Sequence, residues 1–502
     1  MYLSQFVRSK IVFFSGHRNR PLLFLFSLII LSGCASISES DQAGLKSEKI
    51  YTPSQLRADL QFLDNALRNI HPEPFARLNR DIYNAHYQQL YQNLSWPSHR
   101  HDFYLHITPL VAEFSDIHTR VLYPHQEYQQ FLAQHGKFPL TVLYTSDGLI
   151  VVADQQQPSE IPVGAELLAI NNMSIESIID NFRRYIPAET ESGQIRMIQM
   201  EFARLLWSIY QIKTDYQVDY LWQGKKFRTT VKGQKQQPSL QQESVASHYG
   251  SIAVDDKTTM LWFNDFNQQY QEFDYFLQHE FQNIKDQNKD TLILDLRYNQ
   301  GGIIDNLALL LTYLTAQPVN WANHITLKLS EPFRQQHSLL MATAKGNKYG
   351  NYLEWMPVEY LNLWQWKILF GTDGDFLESD IAPVISDKNN IFTGNLFILS
   401  NGYCYSACAS LIAILEQNNL ATIIGEPAGS LTHIQYGYPV EVVLPNTGLK
   451  LVVPAMKFVL EDNDKDLPSL IPLVHQIQQG EKDVLLGRDS VFDYAIELSK
   501  PH

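Results

Sequence analysis

Leu292-Ile-Leu-Asp-Leu-Arg-Tyr-Asn-Gln-Gly-Gly302, running on into IIDNLALLLTYL, decides the fold. A short apolar run, the pattern of a strand buried on both faces, ends around Arg297. The chain turns through Asn299, Gly301 and Gly302 and enters an apolar segment of helical length. Paired glycines let the backbone approach a ligand closely and aim N–H groups into a site. The helix start adds a positive dipole end. The turn therefore suits an anion, either a phosphate or a developing oxyanion. It lacks the Lys-Ser/Thr ending of a P-loop, and its glycines do not follow GxGxxG spacing.

A second strand-to-helix turn reads Leu396-Phe-Ile-Leu-Ser-Asn-Gly-Tyr-Cys-Tyr-Ser-Ala-Cys-Ala-Ser410. The strand breaks at Asn401-Gly402, and a helix begins near Ser406. A serine there is ordinarily an N-cap. As a nucleophile it would need a base and a set of oxyanion donors. The N–H of Ala407 and a glycine N–H from the first turn could supply the donors. The runs TMLWFNDF, TLILDL, LFILS and ATIIGE alternate with helical stretches 269–285, 303–314 and 406–417. That alternation predicts an α/β domain over 246–502 with buried, largely parallel strands.

Two further parts precede it. Leu56, Leu60, Leu63, Leu67 and Ile70 recur at three- and four-residue steps, so 53–137 is expected to be a helical N-terminal domain. Over 138–245 the pattern changes to the short strands PLTVLY, LIVVAD and AELLAINN, then a helix at SIESII. The stretch Ile161–Asn172 and that helix resemble a PDZ core, a module that binds peptide ends by adding a strand to its sheet edge. The expected class is multidomain α/β.

Composition narrows the function. With 502 residues, 45% hydrophobic and 18% charged, the chain is neither disordered nor fibrous. Three cysteines cannot staple a chain of this size. A net charge of −14 leaves no electrostatic footprint for nucleic acid. The N-terminus carries Arg8, Lys10, Arg18 and Arg20 before the apolar run Pro21–Leu31, which is too short to span a bilayer (about 20 residues). This reads as a secretory signal over 1–33. Its end, Leu31-Ser32-Gly33-Cys34, resembles the bacterial lipoprotein box, in which the cysteine becomes the lipidated first residue. Residues 34–52 would be a polar tether. Ala35 and Ser36 after the cysteine imply, by that resemblance, an outer-membrane destination facing the periplasm.

Asp295–Gly302 (D-L-R-x-N-x-G-G), Tyr405-Ser406-Ala407 and Ile423–Gly429 (I-I-G-E-x-x-G) occur in one order. So arranged, they resemble the tail-specific (C-terminal processing) serine peptidases, which include the core of tricorn protease. The resemblance runs from about residue 100 and closes on Gly487–Ala495. It implies a crotonase/ClpP-like α/β catalytic core and Ser406 as nucleophile. The processing branch uses a lysine base about 25 residues later, but no lysine lies between Ser406 and Lys450, position 431 is Leu and position 409 is Ala. The tricorn-like branch uses an upstream histidine, and Phe114-Ser-Asp-Ile-His-Thr-Arg120 matches its D-x-H-T box. His118 is the implied general base, an imidazole titrating near working pH. His433 is the rival. The acid that orients the base falls by resemblance at Asp466, with Glu461, Asp462 and Asp464 as alternatives. The oxyanion donors are Gly302 or Gly301 together with Ala407.

Cys404 and Cys408 flank the serine and are expected to be small buried residues, because a bridge there would crowd the nucleophile. The histidines at 99, 101 and 106 form no strong metal pattern, and His279-Glu280 lacks the second histidine of HExxH. Neither metal nor cofactor is expected. The reading is a lipid-anchored serine endopeptidase of the bacterial cell envelope acting on protein or peptide substrates. The alternative is a catalytically inactive lipoprotein that binds peptides or other ligands on the same fold. An esterase using the same acyl chemistry is a third option. If Cys34 carries the lipid, Cys34→Ser releases the protein from the membrane fraction and removes lipid label. Unchanged fractionation with no loss of label would refute the anchor.

Overall fold

In the computed structural model, residues 49–155, 159–213, 215–235, 248–336, 367–368, 371–460 and 475–500 are described. The leader, Cys34 and Asp466 with its alternatives Glu461, Asp462 and Asp464 lie outside them, as does the expected boundary at 245. The helices used below are α1 (Pro53–Ile70), α2 (Arg80–Asn93), α3 (Arg100–Ala112), α4 (His125–Gln134), α5 (Ile175–Arg183), α6 (Glu191–Leu205), α7 (Tyr270–Asp286), α8 (Ile304–Leu314) and α9 (Ala407–Gln417). Among the described residues, no helix is long and apolar enough to cross a membrane.

The stretch read first does form a buried strand, Thr291–Asp295, a turn, and α8. The strand lies in a six-stranded sheet ordered Tyr249–Ala253, Thr258–Phe263, Thr291–Asp295, Asn395–Ser400, Thr422–Gly425, His475–Gln476. Only the first pair is antiparallel. Leu292, Ile293 and Leu294 have no exposed surface, as a central strand covered on both faces requires. Arg297, at the end of this strand, donates to Asp295 and to Asp489, at 2.8 Å for each Asp489 oxygen. That ties the first turn to the C-terminal helix Ser490–Leu498, which Asp489 caps.

A second sheet was not anticipated. It is antiparallel, ordered Phe376–Asp380, His324–Lys328, Lys450–Val459, Ile434–Val443. The expectation of largely parallel strands therefore holds for the first sheet only. Pro439 and Pro454 face each other across the long hairpin. A proline removes a ladder donor and normally argues against a strand, so neither segment reads as one. The two-residue strand Arg120–Val121 joins this sheet beside Val452 and Leu451. This pairing carries the His118 loop to the α/β region, although 330 residues separate Val121 from Leu451.

Residues 140–231 build a separate antiparallel sheet with α5 and α6 against it, around its own apolar core. By contrast, the residues of α1 and α3 share one continuous core with the α/β region. Asp59, on α1 and fully buried, fastens that junction. It accepts from the N–H and Nδ2 of Asn446 at 2.9 and 2.8 Å, and from the N–H and hydroxyl of Thr447 at 2.8 and 2.6 Å. Asp59→Ala leaves these buried donors unmet and is expected to cost about 3 kcal/mol. A thermal midpoint equal to wild type would show that the turn is held by other contacts.

Candidate active site

Ser406 stands between the strand Asn395–Ser400 and α9 with φ 52° and ψ −126°. A non-glycine residue held there costs about 1–3 kcal/mol and persists only where its surroundings fix it. Here they do. The Ser406 N–H donates to Ser430 Oγ at 3.2 Å, the Tyr405 hydroxyl to the Gly193 carbonyl at 2.6 Å, and the Gly429 N–H to the Cys404 carbonyl at 2.8 Å. Ser406 makes no side-chain cap bond to its helix. The ordinary capping role is thus absent, and a sharp strand-to-helix turn presents the hydroxyl instead, as in nucleophile elbows.

Cys404 and Cys408 are joined by a disulfide, with Cα atoms 5.3 Å apart, which corrects the expectation of unbridged cysteines. Crowding does not arise because both cysteines are fully buried in the core, whereas Ser406 keeps part of its surface.

The Gly-Gly turn packs directly against this elbow. Gly301 has φ +90°, and a Cβ there would lie 2.8 Å from Ser406 Cβ and 3.0 Å from the Ala407 nitrogen. Its N–H donates to Asn299 Oδ1 at 2.8 Å, and its carbonyl accepts from Phe266 at 2.8 Å. Gly301 is therefore a close-approach residue whose donor is already engaged. The N–H groups of Gly302 and Ala407 have no acceptor among the described residues. Of the two glycines, Gly302 is the one with a donor to offer.

His118, just ahead of the Arg120–Val121 strand, lines the same cavity as Gln300 and Tyr405, the residues before Gly301 and Ser406. Its side chain is 16% exposed and that of Asp116 is 1% exposed. Asp116 Oδ1 accepts the His118 N–H at 3.1 Å and faces Nδ1 at 3.3 Å; Oδ2 accepts the Thr119 hydroxyl at 2.6 Å. His71, the C-cap of α1, points Nε2 at Asp116 Oδ2 from 3.8 Å while its Nδ1 accepts the Glu73 N–H at 3.0 Å. Burial pushes the Asp116 carboxyl up, but hydrogen bonds and charge from His118 and His71 outweigh it and hold it well below the usual carboxylate range. An ionised carboxylate only accepts, so this pairing suits a proton on His118 Nδ1, which would leave Nε2 as the basic nitrogen.

Sequence reasoning quoted Asp116 within the D-x-H-T box without giving it this task; a carboxylate two residues before a histidine was the available signal. Glu189 carried no signal at all. It accepts the Leu431 N–H at 3.0 Å and the Ser430 hydroxyl at 3.4 Å, with Arg77 3.4 Å away. Burial pushes its carboxyl up against the lowering effect of Arg77. Through Ser430, Glu189 connects the Ser406 backbone to the His118 neighbourhood. Asp116, His118 and Glu189 offer ligand atoms within 4.8 Å of one another. Their oxygens are already supplied with protein donors, and the Arg77 cation competes with any metal ion, so the cluster fits imidazole orientation better. The rival His433 immediately precedes the strand Ile434–Val443, and its carbonyl accepts the Leu460 N–H at 2.8 Å.

Residues 257–467 match the model of peptidase family S41. No curated protein matches the chain by sequence. Among solved structures, mature CPAF complexed with lactacystin aligns with a TM-score of 0.64 at 17% identity, over 89% of this chain and 97% of that one. Mature CPAF aligns with a TM-score of 0.64 at 16% identity, over 89% and 96%. The photosystem II D1 C-terminal processing protease is more distant, with a TM-score of 0.39 at 13% identity over 84% and 93%. Residues 257–467 are thus similar to a peptidase S41 domain, and the multidomain α/β fold resembles that of mature CPAF. The protein is an enzyme, a serine-type peptidase and so a hydrolase.

Gly301→Ala is expected to lower kcat on a peptide substrate about 10²-fold or more with little change in KM. The added Cβ displaces the Ser406 turn and the Ala407 donor, a loss felt mainly in the transition state. A folded variant with wild-type kcat would show that this contact is immaterial.

Proposed function

We propose that the protein is a serine endopeptidase with a Ser406–His118–Asp116 constellation, of the tricorn-core-like branch, on a crotonase/ClpP-like core. His118 Nε2 takes the hydroxyl proton as Ser406 Oγ bonds to the peptide carbonyl carbon. The carbonyl π pair moves to oxygen, where the Gly302 and Ala407 N–H groups stabilise it. Collapse breaks the C–N bond, and the imidazolium returns its proton to the leaving amine. Water, deprotonated by the same nitrogen, then releases the acyl group from Ser406. Asp116 keeps the imidazole in its basic tautomer and offsets the charge it gains. The module at 138–245 is read as PDZ-like and would present an extended substrate. The lipid-anchored envelope location expected from the leader belongs to the same proposal.

The observation that carries this reading is the Ser406 turn itself, a strained serine at a helix start beside two unengaged N–H groups. The test is labelling with a fluorophosphonate. Wild type is expected to be labelled at Ser406, and His118→Ala to lose labelling and peptide hydrolysis by about 10³-fold or more while keeping its fold. If His118→Ala stays active and His433→Ala does not, the base is His433. If Ser406 is never labelled, it is not the nucleophile and the Ser406–His118–Asp116 assignment falls.

A further inference from the structure

We propose that the cavity beside His118 is a specificity pocket for a large apolar or aromatic side chain of the substrate, next to the bond to be cut, with its preference set by α6. This rests on the peptidase reading above. The cavity measures about 400 Å3, within the ~300–1,000 Å3 range of ligand sites. His118, Gln300 and Tyr405 form one side of it. The last two precede Gly301 and Ser406 directly, so the pocket opens at the proposed reaction centre.

The other walls are helix faces. Met197, Met200, Glu201 and Arg204 of α6 line it, at i, i+3, i+4 and i+7, a single helical face. Tyr104 and Val111 of α3 oppose them, seven residues apart on one face of that helix. This explains why a helix of the middle module lies across the α/β region rather than only on its own sheet. The buried Arg196–Glu426 pair, with Arg196 Nε at 2.9 Å, and the Gln199–Tyr403 bond at 2.9 Å hold it there.

The charges in the wall are already committed. Arg204 donates to Glu201 and lies 4.6 Å over the Tyr123 ring. Arg120 spends Nη1 on the Ile117 carbonyl at 2.8 Å. No carboxylate of the wall is left to receive a basic side chain, and the surplus positive charge repels one. Thioethers reshape easily around different apolar groups. The pocket therefore favours Phe, Tyr, Leu or Met and rejects Lys and Arg. Gln300 donates to the Met200 sulfur at 3.3 Å, which couples the α6 wall to the Gly-Gly turn.

The test uses peptides differing at one position, Phe, Leu, Gly or Lys, and reads binding to the full-length Ser406→Ala protein as well as cleavage by wild type. The Phe peptide is expected to bind at least 10-fold more tightly than the Gly or Lys peptide, and to be cleaved with kcat/KM about 10–200-fold higher. Met197→Trp, which fills the cavity, and Met200→Lys, which charges its mouth at a residue 44% exposed, should both erase the Phe preference in binding. Equal binding of all four peptides, or a Phe preference untouched in both variants, overturns the pocket whatever the labelling of Ser406. A Phe preference that M197W and M200K erase, in a protein never labelled at Ser406, would uphold the pocket and overturn the peptidase mechanism.

Discussion

Asp116 is a carboxylate almost wholly removed from water, and much of the structure is arranged around its need for partners. An unpaired charge in such a place costs several kcal/mol. Its partners come from separate pieces of the chain: Thr119 and His118 from its own loop, and His71 from the end of α1. The same loop runs straight into the strand that pairs with Lys450–Val459. Satisfying one buried charge therefore fixes a helix, a loop and a sheet relative to each other. The consequence for pH has a definite sign. A carboxyl depressed in the folded state stabilises the protein above its unfolded value, about 3.9, and loses that contribution as pH falls through the lower folded value. Glu189, pushed up by burial, acts in the opposite sense: its contribution is full below about 4.3 and declines as pH rises through the folded value. Arg77 beside it limits that loss.

The Ser406 turn is held in the same distributed manner. Its conformation is unfavourable in isolation, so neighbouring elements must enforce it. Several of the ties come from α6 and its N-cap. A Cβ on Gly193 would lie 2.7 Å from the Gly429 carbonyl, and one on Gly402 would meet the Ser192 carbonyl, so glycine is required on both sides of this contact. Thr190 at the N-cap of α6 donates to the Ala428 and Gly429 carbonyls at 3.1 and 3.2 Å. The middle module thus does more than sit beside the α/β region. It braces the turn that carries the serine, and any movement of α6 would be felt at Ser406.

Local patterns made some of this legible in the sequence. The apolar runs at 291–296 and 396–400 are strands because nothing but a doubly covered sheet suits them, and the glycine and serine turns between strand and helix follow directly. The second sheet was not legible, because Pro439 and Pro454 break the period on which strand recognition depends and Tyr438 takes φ 52°. Glu189 was not legible either. A lone acid in a loop is ordinary, and only folding sets it against Leu431, Ser430 and Arg77. The choice between Gly301 and Gly302 depends on whose N–H Asn299 captures, a hydrogen bond that glycine spacing cannot encode.

The absent lysine acquires a structural counterpart. Where a processing peptidase would place its base, this chain has Ser430-Leu431, and both are in use. Ser430 holds the Ser406 N–H and Leu431 donates its own N–H to Glu189. An amine there would have to stay neutral to act as a base, which needs a desolvated site without nearby anions. The buried Glu189 carboxyl beside this segment would do the reverse and hold a lysine in its charged form. An imidazole avoids the difficulty, since it needs an anion at one nitrogen to leave the other basic. In the proposed mechanism Asp116 would supply that anion, and the segment after Ser406 would brace the nucleophile while the base approached from the Arg120–Val121 side.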